Sequence, residues 1–491
     1  MPVQPVVLVT DALVWLLVAI VAGAALYIRR HEHLRAPWRR VAASAGGMGA
    51  LTVLAFFVVV GLADSLHFRA GLPDQGGARA WSGEVLSVLD VALGDLRTQK
   101  EKTYSAPLAT HLFAKETVTR PDGTESREHP RLKYGGAALA EPEAQWAGDV
   151  ARRVAGGAAA GILAWLAVIG ALAALLARRH RMPMREAWRY LRRRRGPVAW
   201  WAVLVVLAVM LVGGGITAAL AAGYHVLGTD KVGQDVLYLS LKSIRTGLVI
   251  GTVTTLVMLP FAVVLGTMAG YFGGWVDDAI QYLYTTLSSI PGVLLIAAAV
   301  LMMQVYIENH PELFATVTVR ADVRLLFLCV ILGVTGWTGL ARLLRGEALK
   351  LREMEFVQAA HAFGVSHARI LARHLVPNVM HIVLIAAVMD FSALVLAEAV
   401  LSYVGVGVDP SMVSFGTMIN AARLEMARDP MVWWSLAAAF GFMLVLVLAA
   451  NLFADAVRDA FDPRVRVTGL AGERVERLLG ALRGRRGERA A

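Results

Sequence analysis

Charge and cysteine are the two things this chain has little of. Only 17% of its 491 residues are charged, against about a quarter in a soluble globular protein. With 57% hydrophobic residues and a mean hydropathy of +0.58, that shortage excludes a soluble globular fold and points to an all-α polytopic membrane protein. The single cysteine, Cys329, falls in an apolar segment, so neither an intramolecular disulfide framework nor a cysteine-built metal site is available. Acidic residues are the scarcer sign, 37 against 48 basic, giving a formal net charge of +11. In a soluble protein that excess suggests nucleic acid. Here the basic runs lie beside apolar spans, as in the cytoplasmic loops of membrane proteins, and no nucleic-acid partner is expected.

Chemical motifs are also missing. No GxxxxGK[ST] occurs, so the chain has no phosphate-cradling loop of its own, and no HExxH or Gly-x-Ser-x-Gly after a strand is present. An intramembrane hydrolase would need a nucleophile and base at membrane depth, and none is visible. No catalytic residue, resident metal or bound cofactor is expected.

What the chain does have is apolar length. A window of about 20 residues gives nine spans, near 6–28, 41–63, 154–177, 198–222, 245–270, 286–306, 324–342, 380–404 and 432–454. Residues 29–40 carry five Arg against one Glu, and 178–196 carry nine Arg against one Glu, so both loops should be cytoplasmic. The segment 64–150, with thirteen acidic and ten basic residues, should be outside. The N-terminus is then outside and the C-terminus inside, in agreement with the basic 342–374 loop. The first span lacks a positive n-region and is not read as a cleaved signal.

The domain boundaries follow. Residues 1–63 read as a two-span hairpin, 64–150 as an extracytoplasmic domain or long loop, and 151–197 as a third span with an Arg-rich loop. A core follows over 198–464, then a basic tail over 465–491. Within the outer segment, "GEVLSVLDVALGDLR" (83–97) has apolar residues at helical spacing and predicts an amphipathic helix. His111 and His129 read as surface residues.

"FVQAAHAFGVSHARILARHLVPN" (356–378) interrupts the apolar pattern. Ala359, Ala360 and Ala362 favour helix, and Gly364 can take the left-handed conformation that ends one. Ser366 can cap a second helix, which should finish near Pro377. A polar helix–turn–helix between two spans suits docking into another protein's groove. In the next span, Asp390 and Glu398 lie about 80° apart around a helix. Asp390 could line a polar route for substrate or be structural, whereas Glu398 reads as solvated or paired near the outer interface. Gly333, Gly336 and Gly339 suggest close helix packing.

These residues carry a resemblance. The pattern of Ala359, Ala360, Gly364 and Pro377 is similar to the EAA loop of bacterial ABC importer permeases, and the surrounding stretch resembles the oligopeptide/dipeptide/nickel family. Gln358 stands where that family has Glu. "LGTDKVGQDVL" (227–237) resembles its outer-loop motif through Gly228, Thr229, Asp230, Gly233 and Asp235, with Gln234 in place of Arg. "AEAVLSYVGVGVDPSMVSFG" (397–416) resembles a further segment through Glu398, Leu401, Ser402, Gly405 and Gly407, and Phe415 stands where Trp is common. "DAVRDAFDPR" (455–464) matches the family's C-terminal end.

The resemblance implies a type I ABC importer transmembrane domain, with extra N-terminal spans and an extracytoplasmic insert, in a bacterial inner membrane. Its coupling loop would be 347–378, seated on the ATPase through Phe356, Val357, Gln358, Ala359, Ala360, Ala362, Gly364, Ser366 and Pro377. Asp390, Glu398 and Ser402 would be candidates for the translocation path. Implied partners are a second homologous permease, two ABC ATPase subunits that bind ATP and Mg, an extracytoplasmic solute-binding protein, and membrane lipid. The substrates implied are peptides or peptide-like solutes, with nickel chelates second. The family has one span before its outer loop. "YSAPLATHLF" (104–113) would make 41–63 that span, whereas the Arg run before 198–222 would favour the latter. A channel or membrane scaffold or sensor could share this topology but would have no use for an ATPase-docking elbow.

Overall fold

The computed structural model describes residues 3–71, 81–119, 125–193, 196–314 and 316–461. The expected basic tail, 465–491, and the last three residues of the C-terminal motif lie outside the described residues.

A strand, β1 (Val3–Val6), precedes the apolar α1 (Val9–Arg30), which ends where Arg29 and Arg30 meet the polar interface. The amphipathic α2 (Glu32–Ala43) turns the chain back, and Ser44 caps α3 (Ala45–Asp64) by accepting from Gly47 N at 3.2 Å. β2 (His67–Gly71) and β3 (Trp81–Ser87) join β1 in an antiparallel sheet of order β1-β2-β3. The single helix expected over 83–97 is therefore corrected. Its first five residues belong to β3, where Val85, Leu86 and Ser87 pair with β2, and Ser87 then opens α4 (Val88–Ala92) through a reciprocal capping box with Asp90. α5 (Gly94–Thr98) and a hairpin of β4 (Glu116–Thr119) and β5 (Glu125–Glu128) follow.

α6 (Pro142–His180) is one helix of 39 residues, so the boundary expected at 150/151 falls inside it. α7 (Met184–Arg192) and α8 (Trp200–Ala221) complete the N-terminal half. α9 (Val236–Phe272) begins at Asp235, whose carboxylate accepts from Leu237 N at 2.8 Å and Tyr238 N at 3.2 Å. The expected span 286–306 is broken between α10 (Gly274–Ser289) and α11 (Gly292–Asn309), because Ile290 before Pro291 is held extended. α12 (Val317–Gly336), α13 (Thr338–Arg352), α14 (Glu355–Ala362) and α15 (His367–Ile370) lead to α16 (Val376–Val404), then α17 (Phe415–Glu425) and α18 (Trp434–Phe461).

Among the described residues, eight helices are long and apolar enough to cross a membrane. The ninth expected span, 324–342, falls on α12 and α13 and is not one of them. Arg320, Asp322 and Arg324 charge the first turns of α12, and the helix ends at Gly336.

α9 is the centre of the molecule, packed against α3, α10, α12, α13 and α16. α1 packs on α9 and α12, and α3 on α8, α9 and α18, so residues 1–63 wrap the core instead of forming a hairpin of their own. Gly333 does permit a close approach: a methyl group there would meet Val257 Cγ1 at 2.7 Å and the Thr254 carbonyl oxygen at 3.1 Å. Gly336 makes an ordinary contact and Gly339 faces open space, so the expectation for those two is not met. α6 and α8 pack chiefly on each other. A methyl on Gly157 would lie 2.5 Å from the Gly215 carbonyl oxygen, and one on Gly161 would lie 2.5 Å from that of Leu211. The two backbones touch directly there, as small residues four apart allow.

Candidate functional site

The elbow at 355–376 is built on a rigid base. α13 lies against the end of α9, where a methyl on Gly270 would sit 2.5 Å from the Arg345 carbonyl oxygen and one on Gly266 would sit 2.7 Å from that of Ala341. Arg345 also grips Asp277 of α10 bidentately, Nε to Oδ1 and Nη2 to Oδ2 both at 2.6 Å, which holds that carboxyl below the usual carboxylate range. Above this base, Val357, Ile370 and Leu375 are buried with Tyr271 and Ala348, and the Tyr271 hydroxyl bonds His367 Nδ1 at 2.8 Å.

α14 ends in a Schellman motif. Val365 N donates to Ala360 O at 3.1 Å, Gly364 N donates to His361 O at 3.0 Å, and Gly364 takes φ +73°. Nothing lies within 4 Å of a side chain built on Gly364, so glycine is required there by backbone conformation alone. The motif also sets the place of Ala360, which is half-buried. With Val365 it packs inward on the buried underside, while Gln358, Ala359 and Ala362 are exposed. Ser366 starts α15 through its backbone carbonyl, without a side-chain cap.

Pro377 does not end the second helix. A π turn over Leu371–Leu375 loosens the hydrogen-bond ladder just before it, and the chain continues as one helix over His367–Val404. Sequence reasoning missed the most exposed large apolar side chain of the elbow, Phe363, which is 87% exposed, against 42% for Phe356. An aromatic residue immediately before a helix-ending glycine, in an otherwise polar turn, was the available signal.

The outer-loop motif forms a clasp. Gly228 and Gly233 take φ +72° and +73°, and between them Asp230 closes a turn by accepting from Val232 N at 2.9 Å and Gln234 N at 2.8 Å. The Thr229 hydroxyl accepts from Ser105 N at 2.7 Å and donates to Thr103 O at 2.9 Å; its carbonyl accepts from Trp434 Nε1 at 2.9 Å. Asp235 Oδ2 bonds His225 Nδ1 at 2.7 Å, and His225 Nε2 faces Glu101 Oε1 at 3.5 Å. Glu101 in turn accepts from the amides of Lys133, Tyr134 and Gly135. Burial alone would raise the Glu101 carboxyl, but the His225 bond and those amides bring it down to about 2. Burial would lower His225, but the two carboxylates outweigh it and raise the imidazole to about 9. The motif therefore ties the outer segment to the starts of α9 and α18.

The residues considered for a translocation path are Glu398, Ser402 and Asp390. Glu398 is 1% exposed, and its Oε1 accepts from Ser402 Oγ at 2.6 Å and Ser414 Oγ at 2.8 Å. It binds α16 to the cap of α17. Gly407 and Gly416 belong to the same knot, since methyl groups there would lie 1.9 Å from Ser402 Oγ and 2.5 Å from Ser402 Cβ. Asp390 is half-buried, and among the described residues it has no hydrogen-bond or ion-pair partner.

A further polar cluster went unforeseen. Arg245 of α9 bonds Asp11 Oδ1 of α1 through Nη2 at 2.6 Å and Thr10 Oγ1 at 3.0 Å, and faces Asp322 of α12 at 3.8 Å. Thr10 donates its hydroxyl to Asp322, and His67 Nδ1 closes on Asp11 at 2.7 Å. Asp11, Arg245 and Asp322 are all buried. Buried charges within a membrane are stable only when satisfied in this way.

Residues 262–467 match the family described as binding-protein-dependent transport system inner membrane component. The chain is 33% identical over 242 residues to the oligopeptide transport system permease protein of Mycobacterium tuberculosis, covering 49% of this chain and 77% of that one. It is 28% identical over 294 residues to the dipeptide transport system permease protein of Bacillus subtilis, covering 57% and 86%. It is 30% identical over 302 residues to the glutathione transport system permease protein of Pectobacterium atrosepticum, covering 58% and 93%.

Proposed function

The chain belongs to the binding-protein-dependent transport system inner membrane components, the permeases of ABC importers with the type I transmembrane fold, and on that premise we propose how it works. It is a permease subunit for peptides or peptide-like solutes, and the names of its oligopeptide, dipeptide and glutathione relatives support that substrate class. With a second homologous permease it forms the path. A solute-binding protein delivers cargo to the outer side, and two ATPase subunits, which bind ATP and Mg, drive the switch between inward- and outward-facing states. The N-terminus is outside and the C-terminus inside; reporter fusions at residues 115 and 188 should then read opposite sides. We read α3 as the family's first span, because it packs on α9 and α18 whereas α8 lies beyond it.

The observation that carries this reading is the elbow: an exposed Phe363 at the tip, a left-handed Gly364 behind it, and a buried underside fixed to α9 and α13. Phe363 seats in the ATPase groove, where buried aromatics supply most of the energy of such contacts. In the assembled transporter, Phe363→Ala and Gly364→Val should insert normally yet lose stimulation of ATP hydrolysis by loaded binding protein. Normal uptake by both variants at normal expression would sink the coupling role.

A further inference from the structure

The basic surface that none of the transport machinery uses lies at the α6–α7–α8 end of the molecule. α7 is amphipathic along its length. Ala187 and Leu191 are fully buried against Ile169, Ala173 and Leu204 of α6 and α8. At 100° per residue, Arg185, Arg189 and Arg192 share the exposed face, and Trp188 falls between them and the buried stripe. Trp188 is 39% exposed and Met184 46%. Arg178, Arg179 and Arg181, at the end of α6, extend the same surface and are also exposed. None of these six arginines has an ion-pair partner among the described residues. Their level is set by the spans themselves, because the apolar run of α6 ends at Ala177 and that of α8 begins at Trp200.

From this placement we propose that α7 is an interfacial helix that binds the phosphate headgroups of acidic phospholipids. Its arginines face the headgroup layer, and Trp188 and Met184 enter the acyl boundary beneath it. Three features favour lipid over a protein partner. The helix is held against the ends of two spans, its exposed apolar side chains border the cationic face, and the one acidic residue of α7, Glu186, lies off that face. The guanidinium fork matches a phosphate diester, and each arginine near an anionic surface strengthens binding about fivefold. α7 packs chiefly on α6 and α8 and not on the helices of the elbow, so it anchors the accessory pair without occupying the coupling contact.

The test uses the full-length protein in nanodiscs of phosphatidylcholine with or without phosphatidylglycerol, reading the lipid retained by native mass spectrometry and the thermal midpoint. Nanodiscs expose both leaflets, so the outcome does not depend on membrane orientation or on coupling. Phosphatidylglycerol should be retained over phosphatidylcholine and should raise the midpoint. The triple variant Arg185→Gln/Arg189→Gln/Arg192→Gln, which leaves Ala187 and Leu191 in place, should lose that preference by more than about tenfold. Trp188→Ala should weaken retention of both lipids. Equal retention of the two lipids by the unaltered protein, or full preference in the triple variant, would overturn the proposal. Displacement of the lipid by millimolar glycerol phosphate would also overturn it, in favour of a free-phosphate site. Protection of the arginines only when ATPase subunits are added would assign the surface to a protein.

Discussion

Two parts of the molecule bring helices together by opposite means. α6 and α8 meet through bare backbone, at Gly157, Gly161 and Gly215, with no ion pair between them in the apolar region. α1, α9 and α12 meet through buried charge, with Arg245 between Asp11 and Asp322. In a bilayer the lipid tails are as apolar as the side chains, so burial gives little drive for either pairing, and each needs another source of affinity. Backbone contact supplies dispersion and tolerates small slips. A charge cluster tolerates none, because a shift of one residue would leave an arginine or a carboxylate unpaired at depth. The difference shows which additions are integral. α1 is stitched into the core in a fixed register, whereas the α6–α8 pair is a self-contained unit resting on α3.

The largest effect should come from breaking the charged contact on one side. Arg245→Met leaves Asp11 and Asp322 buried without their cation and should cost about 3–5 kcal/mol, read as loss of folded protein in detergent unfolding. Replacing Asp11, Arg245 and Asp322 together by apolar residues of similar volume should recover most of that loss. A single variant that unfolds like the parent would mean water reaches the cluster.

Gly161→Leu should cost less, about 1–3 kcal/mol, and should act locally. Cysteine pairs placed at Trp165 and Leu204, now joined by an indole-to-carbonyl hydrogen bond of 2.9 Å, should cross-link poorly in this variant while the core still assembles. If uptake falls as far as in the Arg245 variant, the pair is not accessory.

The smallest effect concerns charge outside the membrane spans. The Glu101–His225 contact has an acid limb and an alkaline limb. Glu101 is lowered from 4.5 to about 2, so its contribution is complete above pH 4.5 and is lost as pH falls toward 2. His225 is raised from 6.5 to about 9, so its contribution is complete below pH 6.5 and is lost as pH rises through 9. The clasp should be strongest between about pH 4.5 and 6.5. Hydrogen exchange at residues 225–236, corrected for intrinsic rate, should follow that profile, and His225→Gln should flatten its alkaline limb.

Much of this was legible before any coordinates. Apolar length gave the spans, and the alanines before Gly364 gave the elbow and its left-handed turn. What escaped depended on distant partners. Residues 83–87 have helical spacing but become strand because β2 lies beside them. Glu398 reads as paired from its position alone, but its partner does not show in a one-dimensional reading, because Ser414 arrives from a later turn. Arg245, Asp11 and Asp322 are spread over more than three hundred positions, and no local pattern joins them. Pro377 read as a terminator because the π turn that accommodates it leaves no mark in composition.

The unbroken helix from His367 to Val404 makes the elbow one end of a rod. Its 38 residues span about 57 Å, from the loop beside Phe363 to the serine knot at Ser402. A rod clamped along its middle by α9 and α18 cannot be pushed at one end without swinging at the other, so leverage here needs no chain of side-chain rearrangements. Its one compliant joint, the π turn at Leu371–Leu375, sits next to the point of loading.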